Sequence, residues 1–169
     1  MAIAYLTLKG QKQGNINGGI TQKGHENSIL VHSFSNEILT SRDPTSGLLT
    51  GKRQHNPISI LKEIDKSSPP LWAAMVNNEN LVSWELQFWT PTAVATGGAA
   101  GGSPEKLVYK IDLTNASIAS IREYMSDNTD ATKASLPLLE EVTFTYQKIQ
   151  WTWTDGGLTA SDDWSSPVT

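Results

Sequence analysis

The stretch LEEVTFTYQKIQWTW, residues 139–153, decides the fold class. Its aromatic and β-branched residues favour a β-strand, and polar residues alternate with them. In an extended chain, the apolar residues of the two halves fall on opposite faces. These residues are Val142, Phe144 and Tyr146 in the first half and Ile149, Trp151 and Trp153 in the second. The change of face near Gln147 predicts a bulge or a crossing between two sheets, unless core and a neighbouring subunit cover one face each.

Six other segments carry the same strand signal, and Gly, Pro, Asn and Asp separate them. They are residues 3–8, 28–39, 57–64, 81–89, 106–113 and 116–124. Asn115 marks a break or bulge between the last two. The Ala- and Gly-rich stretch TGGAAGGSPE, residues 96–105, has the composition of a linker, but a boundary there would leave two fragments of few strands each. We therefore expect it to be a flexible hairpin loop.

Residues 67–80, SSPPLWAAMVNNEN, predict a short helix. Ser68 can cap its N-terminus, and Pro69 lies where a missing N–H costs nothing. Asn77 and Asn78 can end it. The apolar residues recur on one face at helical spacing: Leu71, Trp72, Met75 and Val76. Many strands with one helix predict a mainly-β protein, a small β-barrel of two packed antiparallel sheets with one flanking short α-helix, in a single domain over residues 1–169.

Composition argues against several functional classes. The 169 residues include no cysteine, which excludes disulfides, thiol nucleophiles and cysteine-bound metals. The net charge is −4, and the 13 Lys and Arg residues are scattered without a basic stripe, so we expect no nucleic-acid partner. Apolar runs are far shorter than the roughly 18 residues of a membrane span, so we expect no membrane insertion. The segment MAIAYLTLKG lacks a basic region before an apolar stretch and does not resemble a signal peptide.

No arrangement of side chains in the sequence predicts catalysis, a metal or a cofactor. His25, His32 and His55 lack the spacing of metal ligands. We expect His32 to be half-buried in its strand and His55 to have an interface or capping role. Nucleophile-elbow and P-loop motifs are missing. Glu140 and Glu141 are neighbours on a strand and point to opposite faces, which does not suit a carboxylate pair. The sequence thus favours a protein that is not an enzyme.

The aromatic residues support an alternative function. Six Trp residues are many for this length, and DGGLTASDDW at 155–164 combines Trp with Asp, as sugar-binding surfaces do. A secreted carbohydrate-binding β-sandwich module is therefore the second hypothesis, and a row of solvent-facing Trp would support it. We favour a role for most of these side chains in the core or in a subunit interface. Asp162 and Asp163 are expected in a solvated turn.

Two long stretches resemble the haemolysin-coregulated protein (Hcp) family of type VI secretion systems. The first is TGKRQHNPISILKEIDKSSPPL, residues 50–71, with matching positions Thr50, Gly51, Arg53, His55, Pro57, Lys62, Glu63, Ile64, Asp65, Ser68, Pro69 and Leu71. The second is YQKIQWTWTDGGLTASDDW, residues 146–164, with matching positions Tyr146, Lys148, Ile149, Trp151, Thr152, Asp155, Gly156, Ser161, Asp162 and Trp164. The sequence departs from the family at residues 93–104, where the hairpin is longer.

The resemblance implies a structural protein that forms hexameric rings with a wide channel. In this family the rings stack into a tube inside a contractile sheath, and a spike protein tips the tube. Contraction drives the tube from the cytoplasm of a bacterium to the extracellular space or a target cell, without a signal peptide. Secreted effectors can travel in the channel. The expected partners are therefore other copies of the chain, the spike, the sheath and the effectors.

Two sets of residues are candidates for contacts in such a tube. Residues 40–56 form a polar loop with both signs of charge, and we expect it to dock on the neighbouring ring through Arg42, Asp43, Lys52 and Arg53. In the second strand, parity places Ile29, Val31, Ser33 and Ser35 on one face and Phe34, whose large side chain suits a core, on the other. The matching strand of relatives lines the channel, which implies that Ser33 and Ser35 face the lumen and contact effectors. The alternative is that this face packs against the next strand and that the serines are tolerated in a core.

Overall fold

The computed structural model describes residues 2–92 and 105–165, which contain twelve strands and one helix. The helix is α1 (Ser68–Val76). The strands are β1 (Ile3–Gly10), β2 (Gly14–Ile16), β3 (Ile29–Ser35), β4 (Ile38–Leu39), β5 (Gln54–His55), β6 (Ile58–Glu63), β7 (Leu81–Pro91), β8 (Glu105–Thr114), β9 (Ser117–Tyr124), β10 (Leu139–Thr145), β11 (Lys148–Trp153) and β12 (Leu158–Asp163). The loop expected at residues 96–105 lies outside the described residues except for Glu105, which begins β8.

Ten of the strands form one antiparallel sheet. Its order is β12-β11-β8-β7-β1-β3-β6-β10-β9, with β2 paired to β1, while β4 and β5 form a separate two-stranded sheet. The large sheet curls over so that its halves face each other across the core. Trp84 of β7 packs edge-on against Phe144 of β10, with ring centroids 5.4 Å apart. The predicted mainly-β, antiparallel fold with one flanking helix is confirmed. The two halves of the barrel belong to one continuous sheet.

Alternating side chains of the strands fill the space between the two halves. Leu6, Ile29, Leu86, Ile60 and Val142 come from five strands and are all buried. Each such side chain contributes about 1.5–3 kcal/mol when it leaves water. Because every other residue of these strands points inward, the periodicity of two in the sequence sets which residues form this core.

Residues 139–153 form two strands that serve different halves of the barrel. β10 pairs with β6 and β9, whereas β11 pairs with β8 and β12. The chain passes between the two halves at Tyr146 and Gln147, so the change of face marks a crossing between the halves of one sheet and not between two separate sheets. Asn115 makes the predicted break between β8 and β9 with a φ of 51°. The single strand predicted over 28–39 is wrong, because β3 ends at Ser35 and β4 begins at Ile38.

A bulge at His32 changes the faces of β3. Val31 lies opposite Lys62 and Ser33 lies opposite Leu61, which leaves His32 as an extra residue. The two parts of β3 therefore do not share one parity. Ile29 and Val31 point inward before the bulge, and Phe34 points inward after it. The prediction that Ile29 and Val31 share a face with Ser33 and Ser35 is wrong for this reason.

Two further expectations for β3 are corrected. His32 is exposed and lies 3.3 Å from Glu63, so it is not half-buried among apolar residues. Phe34 points inward and packs against Phe88, with centroids 4.8 Å apart, but it is 40% exposed at the mouth of the barrel. It therefore does not belong to the closed core.

The start of α1 differs from the prediction. Ser67 occupies the cap position without a side-chain capping bond, and Ser68 is the first helical residue and is buried. The Ser68 Oγ accepts a hydrogen bond from the Asp65 N–H at 3.0 Å and donates one to Glu140 at 2.7 Å. The predicted apolar face is also shifted, because Leu71 and Ala74 are buried whereas Val76 is 71% exposed. The helix is thus anchored by a buried polar contact.

That contact is part of a buried ion pair. Lys62 of β6 and Glu140 of β10 are paired across the sheet, and both are fully buried. The Lys62 Nζ contacts the Glu140 Oε1, lies 3.2 Å from Asp65 and donates to the Glu63 carbonyl at 2.8 Å. Burial favours the protonated form of Asp65, but hydrogen bonds from Ser67 and the Lys62 charge together hold its pKa below the usual range. The cluster ties β6, β10 and the helix together.

Removing Lys62 alone should be far more costly than removing both members of the pair. We expect Lys62→Met to lower the free energy of unfolding by about 3–5 kcal/mol, because it leaves Glu140 as an unpaired buried charge. Glu140→Leu should cost less, because Lys62 keeps its ion pair with Asp65. The double variant should lose clearly less than the sum of the single losses. Denaturant unfolding measures these values. As a control, Lys106→Met breaks a half-exposed pair with Asp155 and should cost less than about 1 kcal/mol. Additive losses at Lys62 and Glu140 would contradict the argument.

Candidate functional site

Residues 37–56 form a projecting hairpin, which we term the arm. Its strands β4 and β5 pair through Ile38–His55 and Leu39–Gln54, and an isolated bridge joins Arg42 to Leu49. Every residue from 39 to 52 is exposed except the half-buried Asp43. The loop predicted over 40–56 is therefore an extended β-hairpin whose outer part stands clear of the barrel.

Two of the predicted docking residues organise the tip of the arm. The Arg42 Nη1 donates a hydrogen bond to the Gly47 carbonyl at 3.1 Å. The Asp43 Oδ1 accepts the Thr45 N–H at 2.7 Å, a local turn that Asp favours. This hydrogen bond is the main reason why the pKa of Asp43 lies below its usual range. Gly47 has a φ of 73°, where a side chain would be strained.

The base of the arm is held by Asp162 on β12, in a contact we term the clamp. Arg53 makes a two-pronged ion pair, with its Nε 2.5 Å from the Asp162 Oδ2 and its Nη2 2.7 Å from the Oδ1. The same Nη2 donates to the Asp163 carbonyl at 2.8 Å. Such paired geometry is strong and directional. Arg53 thus binds within its own subunit, whereas the predicted docking residue Lys52 beside it is exposed.

His55 and Tyr146 complete the clamp. The His55 Nε2 lies 2.6 Å from the Asp162 Oδ2, and its Nδ1 lies 2.8 Å from the Tyr146 hydroxyl. A carboxylate can only accept, so the His55 Nε2 carries a proton and donates it to Asp162. Burial, and then the charge of Asp162, raise the pKa of Tyr146 to about 12. The expected capping role of His55 agrees with this position.

Asp162 was missed as a functional residue. The prediction of a solvated turn at Asp162 and Asp163 is wrong, because both end strand β12 and Asp162 is partly buried against the arm. β12 pairs with β11 through a turn that contains Gly156 and Gly157, with φ values of 90° and 68°. The sequence TDGGL between two extended segments was the hairpin signal that could have revealed this strand.

The clamp should weaken in acid. Hydrogen bonds from Arg53 and then His55 hold the pKa of Asp162 below its ordinary 3.8. The ionised carboxylate therefore stabilises the folded state above that value, and the stabilisation is lost as pH falls through the lowered pKa. We expect Asp162→Asn to melt at a lower temperature than wild type at pH 7, with the difference closing below pH of about 4. Thermal melts across pH measure this.

Asp155→Asn is the matched control for that experiment. Asp155 is also near the end of the chain but is largely exposed in its pair with Lys106. Its substitution should leave the melting temperature nearly unchanged at every pH. A difference between wild type and Asp162→Asn that stays constant down to pH 2 would contradict the assigned protonation.

The two candidate serines lie on the outer face of β3. Ser33 pairs with Leu61 and Ser35 with Ser59 of β6, on the face opposite the buried Ile60. Both serines are exposed. The alternative that they are tolerated within a core is therefore wrong for this subunit.

The tryptophans do not form one exposed platform. Trp84 is buried, Trp151 is packed against the core, and only Trp153 and Trp164 of the six are classed as exposed. Trp153 pairs with Leu158 at one end of the β11–β12 hairpin, whereas the Trp164 N–H bonds to Gln147 at the other. Six residues of strand separate them, which corresponds to about 20 Å. This arrangement does not support the sugar-binding alternative.

Among residues 2–92 and 105–165, no group of three or more His, Asp or Glu side chains is placed to hold a metal ion. The same ranges contain no helix with the length and apolar character to cross a membrane.

The chain combines a curled antiparallel sheet, one flanking helix and a clamped arm. The family model described as "Type VI secretion system effector, Hcp" matches residues 5–153. The chain belongs to the Hcp family. The match includes the whole arm and the clamp residues Arg53, His55 and Tyr146. The family resemblance identified in the sequence is therefore confirmed. Hcp proteins are structural and secreted proteins of type VI secretion systems.

Individual Hcp relatives match over nearly their full lengths. The Major exported protein of Pseudomonas aeruginosa is 38% identical over 174 residues, which cover 98% of this chain and 96% of that protein. The structure of Hcp1 from the E. coli EAEC 042 pathovar superposes with a TM-score of 0.80 at 29% identity, covering 96% of this chain and 98% of that chain. The secreted protein Hcp3 from Pseudomonas aeruginosa gives a TM-score of 0.75 at 31% identity, covering 98% and 100%.

Proposed function

We propose that this Hcp protein is the structural subunit of the inner tube of a type VI secretion system. Copies of the chain close into hexameric rings, the rings stack, and contraction of a sheath expels the tube behind a spike protein. The observation that carries the proposal is the arm, a hairpin whose outer part is exposed and whose base is clamped to β12. A monomer gains nothing from such an arm, whereas an assembly can use it as a connector.

The charges of the arm suit a contact between rings. Arg42 and Asp43 lie at the tip, and Lys52 is exposed on the returning strand. Each exposed pair that they form with a neighbour is worth only about 0–1 kcal/mol. A ring repeats the contact around its circumference, and the repeated weak contacts add to a firm one. In this proposal Arg53 contributes indirectly, because its ion pair with Asp162 fixes the direction of the arm.

The outer face of β3 is proposed as channel wall. Ser33 and Ser35 present small hydroxyls there, and both are exposed. Small side chains let a folded effector approach the wall closely, and ring symmetry multiplies each weak contact. The protein would occupy the cytoplasm of its bacterium before contraction and the extracellular space or a target cell afterwards. Its role is mechanical, without a reaction or a cofactor.

The first test is the mass of the native protein. We expect the purified protein to have six times the 18.4 kDa mass of the chain, because the proposed ring contains six copies. Native mass spectrometry and light scattering measure this value. A strictly monomeric species at micromolar concentration in mild salt would overturn the proposal.

Ser35→Gln tests the channel wall. Because Ser35 is exposed, the variant should keep the ring and the melting temperature of wild type while less co-expressed effector is purified with it. Ser161→Gln, at an exposed serine on β12, is the matched control and should retain the effector. Affinity purification followed by quantitative mass spectrometry compares the two. Equal effector recovery from both variants would show that Ser35 does not face the cargo.

A further inference from the structure

The barrel is open at the end from which the arm projects. Strands β7 and β8 have 11 and 10 residues, whereas β3 and β6 on the facing half have 7 and 6. Inward side chains near the ends of the longer half therefore face open space. Tyr109 and Trp151 are only half-buried for this reason, although the neighbouring Ile111 is fully buried.

A cavity of about 530 Å³ occupies this opening, which we term the mouth cavity. Three aromatic residues and two isoleucines supply its apolar lining: Phe34, Tyr109, Trp151, Ile38 and Ile111. Phe34 and Tyr109 both pack on the buried Phe88, with ring centroids 4.8 and 5.8 Å away. Apolar cavities of this size at the mouths of β-barrels are typical sites for small ligands.

The lining of the mouth cavity carries no charge. Among residues 2–92 and 105–165, its only other lining residues are Ser35 and Asn36, which are polar and neutral. An ion that entered this space would lose its hydration without gaining a partner of opposite charge. A ligand of the mouth cavity should therefore be neutral.

The walls favour a ligand that is itself aromatic. Aromatic rings attract one another in offset or edge-on arrangements beyond what their buried area provides, and Phe34, Tyr109 and Trp151 present three rings to one space. An apolar cavity of about 150 Å³ accepts one benzene molecule, so the mouth cavity has room for about two linked rings.

Two of the lining side chains have unused hydrogen-bond donors. Within residues 2–92 and 105–165, neither the Tyr109 hydroxyl nor the Trp151 indole N–H has a hydrogen-bond partner. Burial raises the pKa of Tyr109, so its phenol keeps the proton and remains a donor at neutral pH. A ligand with an acceptor, such as a ketone oxygen, can satisfy this donor.

We propose that the mouth cavity binds one neutral, two-ring aromatic molecule that carries a hydrogen-bond acceptor. The rings pack against Phe34, Tyr109 and Trp151, and the acceptor receives the hydrogen of the Tyr109 hydroxyl. The site is complete within one subunit and does not depend on the proposed tube. In that tube each subunit would take one such molecule out of the cell, and only this consequence rests on the proposed function.

The fluorescent probe prodan tests the site, because it is a neutral naphthalene ketone whose emission shifts to the blue when it leaves water. Titration with the wild-type protein should give a saturable blue shift, with one probe per subunit and a Kd on the order of 10–100 µM. The anionic probe anilinonaphthalene sulfonate should bind at least about tenfold more weakly, because its charge loses hydration in the cavity.

Four variants locate the bound probe. Asn36→Trp places a large side chain at the rim and should abolish saturable binding. Phe34→Trp fills the same space from a position that is 40% exposed, and it replaces the first variant where that one fails to fold. Tyr109→Phe removes only the hydroxyl and should raise the Kd about two- to tenfold. Tyr124→Phe, at a half-buried tyrosine of β9 outside the cavity, is the matched control and should leave the Kd unchanged.

Each contrary outcome overturns a defined part of the inference. Saturable binding that survives both tryptophan variants, or that Leu158→Ser on the β11–β12 turn lowers as much as they do, would place the probe elsewhere. Equal Kd values for Tyr109→Phe and wild type would reject the assigned hydrogen bond, and equal affinity for the anionic probe would reject a neutral ligand. Rings of the expected native mass without a saturable shift would reject the site while the proposed function stands. A monomer that binds prodan would reject the proposed function while the site stands.

Discussion

The carboxylate of Asp162 receives both Arg53 and His55, and the position of the arm depends on this contact. The outer part of the arm is exposed, and its two short strands pair only with each other. A two-stranded hairpin is marginal in water by itself. The clamp joins its base to β12, and β12 in turn pairs with β11 on the other half of the barrel. Arm direction is therefore set by the barrel as a whole, which is what a connector between rigid rings requires.

The buried pair of Lys62 and Glu140 has the corresponding role at the other end of the same strands. It joins β6 to β10 and, through Ser68, holds the start of α1. The two polar clusters thus mark the two ends that face neighbouring rings in the proposed tube. Desolvation of two charges offsets much of their attraction, so this pair adds little net stability while it fixes the positions of the elements that it joins. Fixed positions matter more than added stability in a subunit that must repeat the same geometry many times along a tube.

Most of the strands could be predicted because their information is local. Alternation in residues 3–8, 57–64 and 81–89 reports one buried face, and the crossing within 139–153 is visible as a change of parity. The errors occurred where a partner strand decided the outcome. Nothing in the sequence of β3 marks His32 as an extra residue, since the bulge exists only in its register with β6. The predicted cap of α1 is wrong for the same reason, because the Ser68 hydroxyl donates a hydrogen bond to Glu140, 72 residues away.

The sequence alone determined the mainly-β class, the helix position, the family and the existence of a polar, charged arm, because periodicity, turn residues and two long motifs are properties of adjacent residues. Only the tertiary structure decided which of these charges are available to a partner. Arg53 and Lys52 are adjacent and carry the same charge, yet one is held by Asp162, 109 residues further along the chain, and the other is exposed. The outward direction of Ser33 and Ser35 beside the inward Val31 likewise depends on the bulge. Contacts between distant segments form only when the sheet closes, and local patterns carry no record of them.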